Sequence, residues 1–430
     1  MNQTGHNSNR SQVTPIRKRE SSWNDRLFKG DKVLWIIISI LIFMSLMVVY
    51  SSTASMAYRR MGGDTTHYLI DQFEILIMGI AVIFCIHRFD YRFFGRWALF
   101  IYLGSLASVL ATYFIGMKYN DASRWLNIFG FSFQPSDALR LALVLLLAKQ
   151  IDLRCNDIDK AYLLPLFGRR KKDAPSNMKI LTDSTIPLVL PILIACVVIV
   201  FSNLSTAVMT FITGLGVLFL GRVRIWELIR LCVIVSVAGV LLVGGMYFSN
   251  VGRAETWVNR ITNFVSDTDE GGGDNLQQEQ AKITVASGGL FWGKGPGQST
   301  QRSNLPHSYS DFAFAFIIEE YGDLVAGLVL FCYLWLFARS RLIFKQSNKM
   351  FPSMLVLGLS LMITLQALVN MMVSVGLGPV TGQTLPLISK GGSSVLFTGI
   401  ALGMILGVSR QVEQESERKQ KAPHMVVENR

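Results

Sequence analysis

About ten stretches of this chain are apolar for long enough to cross a bilayer, and that count constrains the fold before any motif is considered. A membrane-spanning helix needs about 20 mostly apolar residues. Stretches of that kind lie near 33–54, 69–87, 97–117, 135–151, 185–202, 205–221, 226–248, 312–337, 353–375 and 393–409. Backbone polar groups inside lipid must be satisfied within the segment, so such runs read as helices. The predicted fold is an all-α integral membrane bundle of about ten transmembrane helices. A large extracytoplasmic loop, 249–311, lies between the seventh and eighth.

Composition agrees with this reading. Only 16% of the residues are charged and the mean hydropathy is +0.39, whereas a soluble domain of 430 residues would carry more charge. The net charge of +12 does not point to nucleic acid, because Lys and Arg are dispersed between the apolar runs. They concentrate in the N-terminal tail (1–32), 88–96, 152–184, 222–225, 338–352 and the charged C-terminal tail (411–430). That is the positive-inside pattern, and it predicts a multi-pass protein of the cytoplasmic membrane with both termini in the cytoplasm and a membrane domain over 33–410. The tail 1–32 is too long and too polar to begin a signal peptide. Five cysteines with no C-x-x-C, and five scattered histidines, argue against a disulfide framework or a zinc site.

Four places carry chemistry. Asp311 stands where the polar "NLPHSYS" (304–310) meets the apolar segment beginning at Phe312. It is read either as a helix cap or as a general base, since a carboxylate at the mouth of an apolar segment sheds water and becomes a better base. Phe312, Phe314 and Phe316 would supply the dry setting. Asp137 and Arg140 are three residues apart in "PSDALR" and share a helix face that Pro135 can start; they form either a structural pair or a cavity where Arg140 meets an anion. Glu319 and Glu320 follow Asp311 by two to three helical turns, one of them facing the Asp311 cavity and the other needing a partner on a neighbouring helix. "GPVTGQTLPLISKGGSSVLF" (378–397) combines Pro, Gly and Ser at membrane depth, which is tolerated only where protein buries it or a wet cavity is lined. Lys390 there is either solvated or part of a diphosphate site. Residues 276–301 are too patterned for a linker and predict a short helix followed by a Gly-shaped turn.

These stretches together resemble the SEDS family, the polytopic FtsW/RodA/SpoVE proteins of bacterial cell-wall synthesis, from about Gly30 to Arg410. "VYSSTA" (49–54) ends the first span as in the family. "ASRWLNIFGFSFQPSD" (122–137) is similar to G-A-x-R-W-I…G…Q-P-S-E. "LQQEQAKITVASGGLFWGKGPGQSTQ" (276–301) is similar to Q-x-x-Q-S…GG…G-x-G-x-G, with one residue more in its glycine run. "LPHSYSDFAFAFIIEEYG" (305–322) is similar to L-P-E-x-H-T-D-F-I-F-A…E-E-x-G, with His307 and Tyr309 in place of Glu and His. "GLGPVTGQTLPLISKGGSS" (376–394) is similar to G-x-x-P-x-T-G-x-x-L-P-x-I-S-x-GG-S-S. Asp137 and Arg140 stand where the family commonly has Glu and Lys.

The resemblance implies a glycosyltransferase that polymerises lipid II at the outer face of the cytoplasmic membrane, beside a class B penicillin-binding transpeptidase and other divisome proteins. It implies that the family's essential aspartate falls on Asp311. The charged tails resemble the FtsW-like division branch more than the RodA-like elongation branch. Loss of a diphosphate leaving group needs basic groups, or a divalent metal, to take its charge. Arg124, Arg140, Arg260, Lys282 and Lys390 are the candidates, with Gln277, Gln280 and Ser393 beside them as substrate contacts. A lipid II flippase and a scaffold for the transpeptidase are the competing classes. "GKGPGQS" (293–299) is not a P-loop.

Overall fold

In the computed structural model the residues described are 29–60, 66–119, 122–128, 131–165, 176–249, 255–259, 262, 273–299 and 311–427. Helices lie at or near each of the expected apolar runs: α1 (Lys32–Arg60), α2 (Thr66–Arg88), α3 (Tyr91–Ile115), α4 (Pro135–Leu153), α5 (Asn177–Val200), α6 (Leu204–Leu220), α7 (Ile225–Phe248), α10 (Asp323–Gln346), α11 (Met350–Ser374) and α12 (Gly392–Val427). Two shorter helices, α8 (Gly273–Ala286) and α9 (Ala313–Tyr321), lie between α7 and α10. Seven of the ten are long and apolar enough to cross a membrane: α1, α3, α5, α7, α10, α11 and α12. Of the other three, α6 has 17 residues, and α4 carries Asp137 and Arg140 within its 19. The molecule is a multi-pass membrane protein; of these seven helices α11 and α12 are the most enclosed and α7 the least.

Two features depart from the sequence expectation. The apolar run 312–337 is not one span. Gly322, at φ +87° and ψ 170°, breaks it into α9 and α10. No side chain tolerates that backbone well, and the acids Glu319, Glu320 and Asp323 around it interrupt the apolar run in the sequence. The bundle is also not purely helical. An antiparallel three-stranded sheet, β1 (Met117–Tyr119), β2 (Ala122–Ile128) and β3 (Phe131–Phe133), joins α3 to α4 in the order β1-β2-β3. Trp125 pairs with Met117, and Leu126 with Phe133. The sheet delivers the chain to Pro135 at the start of α4, so it sets where Asp137 and Arg140 enter the bundle.

Packing of the last helix depends on small residues. Gly399, Gly403 and Gly407 recur every fourth residue along α12 and let α2 approach backbone to backbone. A Cβ at Gly403 would lie 2.8 Å from Ile86 Cβ and 3.0 Å from the Ile83 carbonyl oxygen. Gly403→Val is therefore expected to push α2 away from α12. Over-packing of this kind costs about 1–3 kcal/mol. Size-exclusion profiles of detergent-extracted protein should show the monodisperse peak reduced severalfold, with Gly104→Val as the control because open space surrounds Gly104.

Candidate active site

Asp311 ends the approach to α9 and is half-buried. It is not the helix cap: that position falls on Phe312, and no side chain caps it. Of the three phenylalanines expected to dry this region, Phe312 and Phe316 pack with Ala281, Val373 and Val380 in a small apolar cluster of their own. Phe314 instead belongs to the main core. Ala281 comes from α8, so the loop helix is held against the root of Asp311.

The segment facing Asp311 is the irregular stretch between α11 and α12. Gly382, at φ +64°, presents bare backbone there, and a Cβ on it would sit 3.7 Å from Asp311 Oδ2. Beyond it Leu385, Leu387, Ile388 and Ser389 are all buried. Their backbone groups are met by protein: Leu385 N–H donates to Ser389 Oγ at 2.9 Å, Tyr333 donates its hydroxyl to the Pro386 carbonyl, and Ser45 Oγ donates to the Ile388 carbonyl at 3.1 Å. Non-helical backbone survives in a membrane only with such partners.

Two amides one turn apart on α11 fasten this stretch. Asn370 Nδ2 donates to the main-chain oxygens of Asp311, at 2.8 Å, and of Gln383, at 2.7 Å. Gln366 Nε2 donates to the Thr384 carbonyl at 2.9 Å, and its Oε1 accepts from Arg140 Nη2. Thr384 Oγ1 donates to Ser394 Oγ at 2.8 Å, and Gln383 Nε2 to Thr206 Oγ1 at 2.9 Å. Arg140 Nη2 lies 3.8 Å from Asp137 Oδ1. Arg140 is 3% exposed, and its Nε and Nη1 have no partner among the described residues. The expected Asp137–Arg140 pair thus exists, and Gln366 joins it to the same stretch that faces Asp311.

The glutamates serve another purpose. Glu319, fully buried, accepts from Lys294 Nζ at 2.8 Å, from Ser287 Oγ at 3.0 Å and from Ser299 Oγ. These three partners come from the Gly-rich turn 287–299. Lys294 N–H and Gly295 N–H donate to the carbonyls of Glu319 and Glu320, and Asp323 N–H to that of Gly289. The expected helix and turn are both present, the turn lying along α9. Glu320 is buried too.

The remaining candidates divide. The Lys282 side chain lies against Gly376, with its Cε 2.7 Å from where a Cβ would stand. Gln278 Nε2 donates to the Gly378 carbonyl at 3.2 Å. These contacts put α8 at the start of the stretch that faces Asp311. Gln277 and Gln280 are half-buried on α8, and Gln280 Oε1 has no partner among the described residues. Lys390 and Ser393 lie at the far end of the stretch, where Ser393 is buried. Arg260 and the side chain of Arg124 lie outside the described residues, as do His307 and Tyr309. Sequence reading missed Asn370, Gln366 and Gln383. The available signal was two amides four residues apart in the otherwise apolar run 353–375.

The chain matches, over residues 31–414, the model of a family described as cell cycle protein, FtsW/RodA/SpoVE. It is 30% identical over 381 residues, 87% of its length and 88% of the relative's, to a probable peptidoglycan glycosyltransferase FtsW of Alkalilimnicola ehrlichii. It is 29% identical over 385 residues, 88% and 97% of the two lengths, to stage V sporulation protein E of Bacillus subtilis. Among solved structures it resembles a chain of a peptidoglycan synthase complex that coordinates polymerization and crosslinking, with a TM-score of 0.67 at 22% identity, covering 90% of this chain and 99% of that one. The rod shape determining protein RodA of Thermus thermophilus gives 0.59 at 21%, covering 89% and 97%.

Proposed function

The chain belongs to the FtsW/RodA/SpoVE family, and from that premise we propose that it is a peptidoglycan glycosyltransferase that polymerises lipid II, with Asp311 as the general base. The observation that carries the assignment of the base is the fixing of Asp311: its main chain is tied to α11 and its carboxylate faces bare backbone at Gly382. An acid so held, at the edge of an apolar cluster, is placed to take a proton from a hydroxyl that approaches across that backbone.

In the proposed reaction the 4-hydroxyl of a terminal GlcNAc attacks the anomeric carbon of a donor MurNAc. Asp311 takes the hydroxyl proton, the new C–O bond forms, and the bond to undecaprenyl diphosphate breaks. The diphosphate leaves with the bonding electron pair, and a single displacement inverts the configuration. Its charge must be met by cations. Lys282 and Lys390, at the two ends of the stretch facing Asp311, are assigned to that task, with Arg140 holding the stretch through Gln366. Arg124 and Arg260 stay candidates from the motif alone. Among the described residues no three His, Cys, Asp or Glu side chains are grouped as ligands for a metal ion.

The topology goes with this reading. Both termini are placed in the cytoplasm of a bacterial cell and Asp311 at the outer face of its cytoplasmic membrane, which the distribution of Lys and Arg supports. A class B penicillin-binding transpeptidase is the proposed partner; the likeness to a chain of a peptidoglycan synthase complex supports it. The FtsW names of the relatives support a role in division rather than elongation.

The test supplies labelled lipid II to the purified protein in complex with its cognate transpeptidase. A ladder of glycan polymer on a gel is the expected product. Lipid II that crosses sealed vesicles, with no polymer formed, would replace this reading with a flippase.

A further inference from the structure

Asn370 is 1% exposed and lies on α11, a largely apolar and largely buried helix. Burying an amide costs free energy unless its groups are met. Both of its N–H groups are used, and on two different pieces of chain. One goes to the main-chain oxygen of the residue that bears the acid; the other goes to the main-chain oxygen of Gln383, next to the glycine that faces the acid. A single planar side chain therefore sets how far the Asp311 backbone stands from the backbone opposite. Its Oδ1 is buried with no partner among the described residues. The orientation of the amide is thus decided by its donors alone. Neither Asp nor Leu could fill the role, since one lacks the donors when ionised and the other lacks them altogether.

We infer that Asn370 is a positioning residue for the reaction: it sets the separation between Asp311 and the Gly382–Gln383 backbone across which the acceptor hydroxyl must approach. The inference rests on Asp311 being the base. It adds that the geometry of that base is fixed from α11, through main-chain oxygens. A misplacement of about 1 Å can cost 100-fold in rate. Gln366, one turn earlier, holds the next carbonyl in the same way but reaches Arg140 instead of Asp311, so the two amides have separable effects.

The experiment compares wild type, Asn370→Ala, Asn370→Asp and Asp311→Asn, each purified with the cognate transpeptidase and assayed over a range of lipid II concentrations. The expected result is a fall in kcat of at least about 30-fold for both Asn370 variants, with KM within about twofold of wild type. Wild-type kcat in either folded variant would overturn the inference. A rise in KM at unchanged kcat would also overturn it, by making Asn370 a binding residue. Asn370→Asp keeps the size of the side chain, so it stands in if the alanine variant does not fold; aggregation of both would assign Asn370 to folding and overturn the inference. Full activity of Asp311→Asn would instead remove the premise, and the two failures are told apart by that variant alone.

Discussion

Asp311→Asn is expected to yield folded protein that makes no detectable glycan polymer, a loss of at least about 100-fold against wild type, the lower end of what general base catalysis contributes. Asn has nearly the size of Asp and keeps a carbonyl oxygen, so the packing around Gly382 and the Asn370 bond to the main chain of residue 311 should survive. Only the capacity to accept a proton is lost. Lipid II binding should stay within about twofold if, as proposed, Lys282 and Lys390 hold the diphosphate. Gel analysis of labelled product, beside a binding measurement on the same preparation, separates the two quantities. Polymer at the wild-type level would remove Asp311 from the chemistry.

The second large effect is expected from the Gly-rich turn 287–299. In Gly293→Ala the new methyl group would lie 2.5 Å from Tyr321 N and closer still to the carbonyl of Glu320. These are backbone atoms and cannot rotate away, so the turn must lift from α9. Lifting it removes the N–H donors that Lys294 and Gly295 give to Glu319 and Glu320. It also pulls Lys294 from the buried Glu319 carboxylate. A buried charge stripped of its partner costs about 3–5 kcal/mol, and the low end applies because Lys294 is already a third exposed. Thermal unfolding should shift down by several degrees, and protease should cut within 287–299 far faster than in wild type. Glu319→Gln should be milder, since the amide can still accept from Ser287 and donate in turn. If both variants unfold like wild type, the turn is not fastened as described.

Hydropathy makes most of the helices legible, because bilayer thickness sets a length that seven of them meet. A turn made by backbone angle is harder to place. Glu319, Glu320 and Asp323 interrupt the apolar run 312–337, but acids inside a span can equally be paired within the bundle; the positive φ of Gly322 is what parts α9 from α10. The sheet before α4 escaped for another reason: two of its strands have only three residues, and Ala122–Ile128 (ASRWLNI) does not alternate strictly between apolar and polar. Asp311, Asp137 and Arg140 were legible as ionisable groups beside or within apolar segments, where each needs an explanation. Asn370 and Gln366 were not. Their meaning depends on carbonyls that the chain brings back 13 and 18 residues later, and no local pattern encodes that return. The ion pair of Glu319 is no more legible, since Lys294 lies in a turn 25 residues upstream.

The buried stretch between α11 and α12 has a consequence for biogenesis. Its bonds run to Ser45 on the first helix, Thr206 on the sixth and Tyr333 on the tenth, so residues from most of the chain close over it. A ribosome makes these partners long before it makes Gly382. Until then Ser45, Thr206, Tyr333 and Asn370 have polar groups inside the membrane whose later partners do not yet exist. Each unmet group is costly there. A chain halted before Gly382 therefore lacks the backbone opposite Asp311 and the acceptors for Ser45, Tyr333 and Asn370, so the site can close only after nearly the whole chain has been made.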